Sequence, residues 1–305
     1  MVKLALKIFC RSLAVNNLEA LRSKGPLLLV ANHPNSFLDA IIIGSQFKET
    51  VHFLARGDAF HKPWHSILLR MLNMIPVYRL SEGKENLHLN DVAFRRSKEV
   101  LAQNGIVLIF IEGICVHKHE LQPFKKGAAR IAMDSKSLPG FKLKPIGIAY
   151  DSFDRFGKRI NLKIGTAIEA KELLPYEDAA QNFRYFNTVL YDEIIKRIAV
   201  PQKRKTKANP VLFLPAALGR LLNAPVYYFL KKKIRKKTSG TIFYDSVLFG
   251  ALLLTYPLYL LLLTVVLTAL GINIFLVIVI ILVHPLTAWC SVHGRKEGSG
   301  FSEKK

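Results

Sequence analysis

Acidic residues are scarce in this 305-residue chain, with 22 Asp and Glu against 44 Lys and Arg and a formal net charge of +22. Cysteine is scarcer still. Cys10, Cys115 and Cys290 are the three present, too few for the disulfide framework of a small secreted module, so a reducing compartment is expected. No Gly-rich dinucleotide fingerprint and no P-loop occurs, and neither a nicotinamide nor a nucleoside triphosphate is expected. Metal-ligand spacing is missing as well: His61 with His65, and His117 with His119, lack a carboxylate in a recognised pattern and have Lys62 and Lys118 beside them, so no metal is expected. The longest absence is of charge itself, because no Asp, Glu, Lys or Arg occurs between Ser246 and Gly294.

What the chain has in abundance is apolar bulk. Half of its residues are hydrophobic and its mean hydropathy is +0.22, which excludes intrinsic disorder and can supply a sizeable core. Positive charge on this scale suits nucleic acid or an anionic membrane surface, and its position decides between them. Residues 31–200 carry a net +6, whereas the shorter stretch 201–245 carries +10. That stretch holds Lys203-Arg204-Lys205, Lys207 and the run Lys231-Lys232-Lys233-Ile234-Arg235-Lys236-Lys237, and it leads straight into the uncharged segment. Membrane lipid is therefore the expected partner, and nucleic acid is not.

The uncharged segment is long enough for two spans of about 20 residues each. A break at Gly271-Ile272-Asn273 divides it into helices near 247–269 and 274–292, and membrane helices tolerate Pro257 and Pro285 inside them. Basic residues flank the pair on both sides, at 231–237 and at Arg295, Lys296, Lys304 and Lys305, as a hairpin with both ends in the cytoplasm requires. The reading is thus of an integral membrane protein whose globular part faces the cytoplasm. Five segments follow: 1–24, an amphipathic membrane-surface helix in which Lys3, Lys7 and Arg11 recur at i, i+4 and i+8; 25–200, the globular domain; 201–245, a basic linker with an interfacial helix near 210–230; 246–294, two transmembrane helices; and 295–305, a basic cytosolic tail. Charges interrupt every possible h-region near the amino terminus, so a signal peptide is not expected there.

Between residues 25 and 200, short apolar runs alternate with longer periodic segments. Strand-like runs are Leu27–Ala31, Val51–Leu54, Ile75–Tyr78, Ile106–Ile111, Leu143–Tyr150 and Ile160–Ile164; helix-like stretches lie near 36–46, 64–73, 87–103, 126–136 and 180–198. That alternation predicts an α/β domain with a mostly parallel sheet covered by helices. Chemistry in such folds gathers at the carboxyl ends of the strands.

The first strand-like run is followed by Asn32-His33-Pro34-Asn35-Ser36-Phe37-Leu38-Asp39. A carboxylate beside a histidine fixes the imidazole tautomer and makes the ring a general base for a hydroxyl group. Taken alone, the same residues also suit a helix cap or a surface pair. Further blocks follow later strands: Ile75-Pro76-Val77-Tyr78-Arg79, then Ile109-Phe110-Ile111-Glu112-Gly113 with Pro123-Phe124-Lys125-Lys126-Gly127, then Lys144-Pro145-Ile146-Gly147-Ile148. In order and spacing these resemble the four motif blocks of the glycerolipid acyltransferase family, which includes the 1-acylglycerol-3-phosphate and glycerol-3-phosphate acyltransferases. The resemblance covers roughly residues 25–165 and makes 25–200 the expected acyltransferase domain.

Two departures stand out. His33 and Asp39 have five residues between them where the family usually has four. The family's third block usually reads Phe-Pro-Glu-Gly-Thr-Arg-Ser, and here the line is Phe110-Ile111-Glu112-Gly113-Ile114-Cys115-Val116, which keeps glutamate and glycine but not the arginine. By resemblance His33 takes the proton of the acceptor's hydroxyl and Asp39 orients His33. Arg79 binds the acceptor's phosphate, for which a guanidinium's paired donors are suited. Glu112 and Gly113 shape the site, and Lys125 and Lys126 add charge at a helix start. Amides near Pro145 to Gly147 are the expected oxyanion donors, and Cys115 is expected as a buried small residue.

The implied reaction moves a fatty acyl group from acyl-CoA or acyl-carrier protein, the donor substrate, to 1-acylglycerol 3-phosphate (lysophosphatidate), with no cofactor and no metal. The alternatives are glycerol 3-phosphate as acceptor, which the longer His-Asp spacing favours, and a catalytically inactive membrane-tethered homologue, to which the altered third block points.

Overall fold

The computed structural model describes residues 1–78, 88–202 and 210–294. Its amino-terminal part holds helix α1 (Val2–Phe9), strands β1 (Cys10–Val15) and β2 (Leu27–Ala31), helix α2 (Phe37–Gln46), strand β3 (Val51–Arg56), helix α3 (Pro63–Met71) and strand β4 (Met74–Val77). The middle part holds α4 (Leu89–Ala102), β5 (Ile106–Phe110), α5 (Gly127–Ser135), β6 (Lys142–Tyr150), β7 (Lys158–Ile164), β8 (Ile168–Glu169), α6 (Ala170–Leu173) and α7 (Ala179–Ile195). Three long helices follow, α8 (Phe213–Thr238), α9 (Tyr244–Ala269) and α10 (Ile274–His293). The strands form one sheet in the order β1-β7-β6-β2-β5-β3-β4, with β8 beside β6. Pairings of β2 with β5 and β6, and of β3 with β4 and β5, are parallel, while β8 runs antiparallel to β6. The expected mostly parallel α/β sheet with two apolar carboxyl-terminal helices is the fold observed.

The described chain divides into two compact units, one of Val15–Ala149 and Asn161–Ala199 and one of Met1–Ala14, Tyr150–Ile160 and Val200–Lys305. In the first unit, β2 is buried along its whole length, as an unbroken Leu-Leu-Leu-Val-Ala run in a sheet covered on both faces must be. Leu28, Val30, Val107 and Ile109 of the sheet pack with Ile131 of α5, Leu101 of α4 and Phe186 and Leu190 of α7. On the opposite face of the sheet Lys144 of β6 is buried, and its ammonium donates to Ala20 O at 3.3 Å and to Ser23 Oγ. Burial pushes its pKa down.

The second unit corrects two expectations. The amino-terminal helix ends at Phe9, and Arg11 lies on strand β1, because Leu6, Phe9 and Cys10 are all buried and the chain turns there from helix into sheet. Burial pushes the Cys10 thiol up to about 12, Lys158 pulling the other way and Asp245 and Asp151 adding to the rise; the sulfur is an inert core group. The basic run 231–237 is not a linker either, because α8 carries it continuously to Thr238. Lys203, Arg204, Lys205, Lys207 and the tail from Arg295 lie outside the described residues.

Helices α9 and α10 are long and apolar enough to cross a membrane, with mean hydropathies of 2.1 and 2.3 over their most apolar windows. Gly271, at φ +72°, makes the turn between them, and Asn273 caps α10 through Phe275 N at 2.9 Å. None of the apolar window of α9 is buried; Leu254, Leu258, Leu261 and Leu262 are exposed, an apolar surface larger than soluble monomers ordinarily leave open.

Replacing Leu28, wholly buried, by Ala is expected to cost about 2–5 kcal/mol and to lower the unfolding midpoint followed by circular dichroism, while Leu258→Ala on the exposed flank of α9 leaves it in place. Equal shifts for the two would contradict this division into core and exposed surface.

Candidate active site

The site lies in the first unit and begins with strand register. Ala31, the last residue of β2, is the partner of Phe110, the last residue of β5, and the ladder continues with Ile111 N–H donating to Ala31 O at 3.0 Å. Two parallel strands that stop level with each other send their following loops out side by side. The loop after β2 carries His33, and the loop after β5 carries Glu112.

His33 Nδ1 lies 2.9 Å from Asp39 Oδ2, with the Asp39 side chain fully buried and that of His33 14% exposed. Asp39 sits in the first turn of α2, and its Oδ2 also accepts from Asn35 N–H at 2.7 Å. Ser36, at φ 53°, turns the chain sharply between His33 and Asp39, just before α2. Five intervening residues therefore still close the pair. A carboxylate only accepts, so the proton between the two groups belongs to His33 Nδ1, and Nε2 is left with a lone pair. The imidazole also stacks on Phe110, centroids 3.8 Å apart and planes 11° apart, which holds the ring's plane as Asp39 holds its edge.

Glu112 is buried, and both its oxygens are taken by backbone amides: Oε2 accepts from His33 N–H at 3.1 Å and Oε1 from Gln122 N–H at 3.0 Å. Burial pushes its pKa up, partly offset by the Gln122 and His33 amides. Glu112 thus clamps the His33 backbone and shapes the site as a positioning residue. Gly113 stands at φ +62°, and a Cβ there would come within 2.8 Å of Lys125 Cγ, so glycine is required by the turn and by Lys125. Lys125 is exposed beside it. Lys126, just before α5, holds its ammonium over the Phe183 ring at 5.4 Å. Arg79 lies outside the described residues. His33, Asp39 and Glu112 are thus brought together, Gly113 and Lys125 adjoin each other, and Lys126 turns towards α7.

The stretch Pro145 to Gly147, expected to supply oxyanion donors, lies within β6, and Pro145 has no N–H to offer. This part of β6 is an interior strand between β7 and β2. A Cβ on Gly147 would meet Arg197 at 2.5 Å, and the Ile148 amide donates to Asn32 Oδ1 at 2.8 Å. Asn32 returns the bond through Nδ2 to Ile148 O at 2.9 Å, fastening the start of the His33 loop to β6. Cys115 is half-buried, not buried, and its sulfur accepts from Ser36 N–H at 2.9 Å. Asn90 of α4 likewise brackets Tyr78, accepting from its N–H at 2.7 Å and donating to its O at 2.8 Å. Sequence reasoning passed over Asn32, Phe110, Asn90 and Gln122; only Asn32 carried a signal, a polar residue ending an apolar strand directly before the histidine.

Residues 12–149 match the family model described as Acyltransferase. The likeness to that family is carried by this segment, a little under half of the chain. Among solved structures, the 1-acyl-sn-glycerophosphate (LPA) acyltransferase PlsC from Thermotoga maritima is similar at 21% identity, covering 66% of this chain and 80% of that one with a TM-score of 0.47. No curated protein sequence matches the chain. Within this matched segment, a buried carboxylate holds a histidine whose second nitrogen can accept a proton, the equipment of a general base. Among the described residues no three His, Cys, Asp or Glu side chains converge as a metal site would require.

Asp39→Asn keeps the side chain's volume but puts an amide where Nδ1–H and Asn35 N–H need an acceptor; turnover in an acyl-thioester assay is expected to fall by about 10²-fold or more with the melting curve little changed. Glu112→Gln leaves one amide without its acceptor and is expected to lower turnover by about tenfold, roughly 1.4 kcal/mol. Unchanged turnover in both variants would make the cluster purely structural.

Proposed function

We propose that this chain transfers a fatty acyl group from an acyl thioester, acyl-CoA or acyl-carrier protein, to the free hydroxyl of 1-acylglycerol 3-phosphate, forming phosphatidate. The observation that carries this reading is the buried Asp39 carboxylate bonded at 2.9 Å to His33 Nδ1 at the carboxyl end of β2, inside a segment matching the acyltransferase family. His33 Nε2 removes the acceptor's hydroxyl proton as its oxygen attacks the thioester carbonyl. The tetrahedral intermediate collapses with cleavage of the C–S bond, and the thiolate departs, the proton passing from the imidazolium to it or to solvent. An activated thioester needs little more than this base and an aligned hydroxyl. Asp39 stabilises the imidazolium formed on the way, and Glu112 keeps the His33 backbone in place.

The basic groups kept for the acceptor's phosphate are Arg79 and Lys125, with Lys126 available if it leaves the face of Phe183. The His-Asp spacing of five residues favours a second acceptor, glycerol 3-phosphate. The setting is a membrane: α9 and α10 have the length and hydropathy of two spans, and basic flanks on both sides of the hairpin favour a catalytic segment on the cytoplasmic face. Acceptor and product would then share the bilayer with the enzyme.

Purified full-length protein in detergent, supplied with a long-chain acyl-CoA and lysophosphatidate, is expected to release free thiol and form phosphatidate detected by mass spectrometry, with His33→Ala reducing the rate by about 10²–10⁴-fold. Glycerol 3-phosphate run in parallel discriminates between the acceptors. No thiol release with either acceptor, or equal release from His33→Ala, would refute the enzymatic reading.

A further inference from the structure

Helix α3 leaves an apolar face open. Trp64, Ile67 and Met71 recur at i, i+3 and i+7, the spacing that lines one side of a helix. They are 62%, 62% and 75% exposed, and Leu72 just beyond them is exposed as well. Single exposed apolar residues are ordinary on a soluble surface, but a row of them on one face marks a contact surface. The charge around the row has one sign. Helix α3 contains no Asp or Glu, while Lys62 directly before it and Arg70 in its last turn are exposed. Arg70 donates through Nε to the neutral Ser66 Oγ at 3.3 Å, and Arg56 is paired with Asp58. The positive charge at α3 is thus that of Lys62 and Arg70.

The position of this face follows from the sheet. Strands β3 and β5 are parallel, with Phe53 opposite Leu108, so β3 ends at Arg56 close to the level at which β5 ends at Phe110. The crossover to β4 therefore leaves from the carboxyl edge of the sheet, the edge from which the loops carrying His33 and Glu112 depart. Trp64 stands in the first turn of its helix. Among the described strands β4 is the last of the sheet on that side, so α3 belongs to the sheet's margin.

We propose that α3 docks on an anionic lipid surface, with Trp64, Ile67 and Met71 entering the boundary between headgroups and acyl chains and Lys62 and Arg70 meeting lipid phosphates. Indole suits that boundary because it joins an apolar body to a polar N–H. Each lysine or arginine adds attraction to anionic headgroups, and an apolar row flanked by basic residues is the composition of a helix lying in the interface. Four apolar side chains fall well short of the roughly 20–30 residues a side that a stable protein interface engages, which argues against a second copy of the chain. Docking sets the carboxyl edge of the sheet against the surface from which a lysophospholipid hydroxyl has to reach His33. The proposal deepens the proposed reaction and rests on its lipid acceptor, but its test involves no turnover.

The chain has two tryptophans, Trp64 and Trp289, so α3 and the hairpin can be read separately by fluorescence. Full-length Trp289→Phe protein, which reports through Trp64, is reconstituted in vesicles of equimolar dioleoyl phosphatidylcholine and dioleoyl phosphatidylglycerol. Its emission is expected to lie at shorter wavelength than in phosphatidylcholine alone, and to be quenched by lipids brominated on the acyl chain. Adding Ile67→Glu/Met71→Glu should abolish both effects, and adding Lys62→Gln/Arg70→Gln should weaken docking about fivefold for each charge removed. Trp64→Phe protein reports through Trp289 of α10 and tests the membrane reading of the hairpin by itself. A Trp64 that brominated lipid leaves unquenched overturns the proposal, whether or not Trp289 is quenched. Equal quenching in phosphatidylcholine alone, or in the Ile67→Glu/Met71→Glu protein, overturns it as well. So does emission that shifts with the protein-to-lipid ratio without quenching, since a second copy would then cover the face. Failure of the proposed reaction would show instead as absent turnover with Trp64 still quenched.

Discussion

The parallel register of β2 and β5 is the constraint on which the candidate site depends. Because Ala31 and Phe110 are partners, the residues that follow them leave the sheet together, and a backbone amide at His33 finds the Glu112 carboxylate while the His33 ring finds the face of Phe110. A slip of one residue would reverse the side of the sheet on which every β5 side chain projects. Stacking, clamp and base would be lost together, so the core packing that enforces the register also enforces the chemistry.

Two buried carboxylates stand within this small volume, and burying a carboxylate is costly unless hydrogen bonds replace its lost water. Each has those bonds. Asp39 accepts from a ring N–H and a backbone amide, Glu112 from two backbone amides. Hydrogen bonds to a charged group are worth about 1.5–3 kcal/mol apiece, enough to offset much of the desolvation. The same bonds hold the loop, so stability and alignment come from one set of contacts. That economy also explains how the third block can lose its arginine and keep its glutamate: the glutamate supports the loop, and Cys115 in the former arginine's place accepts the Ser36 amide beside it.

The unit carrying α9 and α10 is held by different means. Gly219 of α8 lies against Thr287 of α10 so closely that a Cβ would sit 1.9 Å from the threonine carbonyl, a backbone approach that apolar helices use where no hydrophobic effect drives them together. Tyr256 and Tyr259 of α9 donate to Asn223 Oδ1 at 2.9 Å and Leu222 O at 3.2 Å on α8. Lys158 and Asp245, both buried, are paired at the start of α9, with the Lys158 ammonium 5.6 Å from the Phe9 ring and Phe9 edge-on to Phe249 at 5.2 Å. Breaking such a pair by removing one partner leaves an uncompensated buried charge, at a cost of about 3–5 kcal/mol. Asp245, the last carboxylate before the apolar segment, is thus neutralised by Lys158 within the fold.

Periodicity and composition alone determined most of the architecture. Alternating apolar runs located β2 to β7 and the helices between them to within a few residues, because buried strands and amphipathic helices each impose a local pattern. The uncharged stretch located α9 and α10, and an ordered set of polar blocks brought His33 and Asp39 into one hypothesis. Tertiary structure decided what local pattern has no means to encode. β1 was missed because a short strand that finds its partner some 150 residues later has no periodic signature. The partners of Glu112 were not legible because they are backbone amides, which every residue type possesses, and Phe110, Asn32 and Asn90 were overlooked because stacking and amide bracketing depend on which strands and helices become neighbours. The closing of a His-Asp pair across five residues depended on one turn at Ser36. Sequence supplied the groups; their separation and the proton's position on the ring follow from packing, because hydrogen bonds act over about 3 Å and only the folded chain brings residues 33, 39 and 112 within that reach.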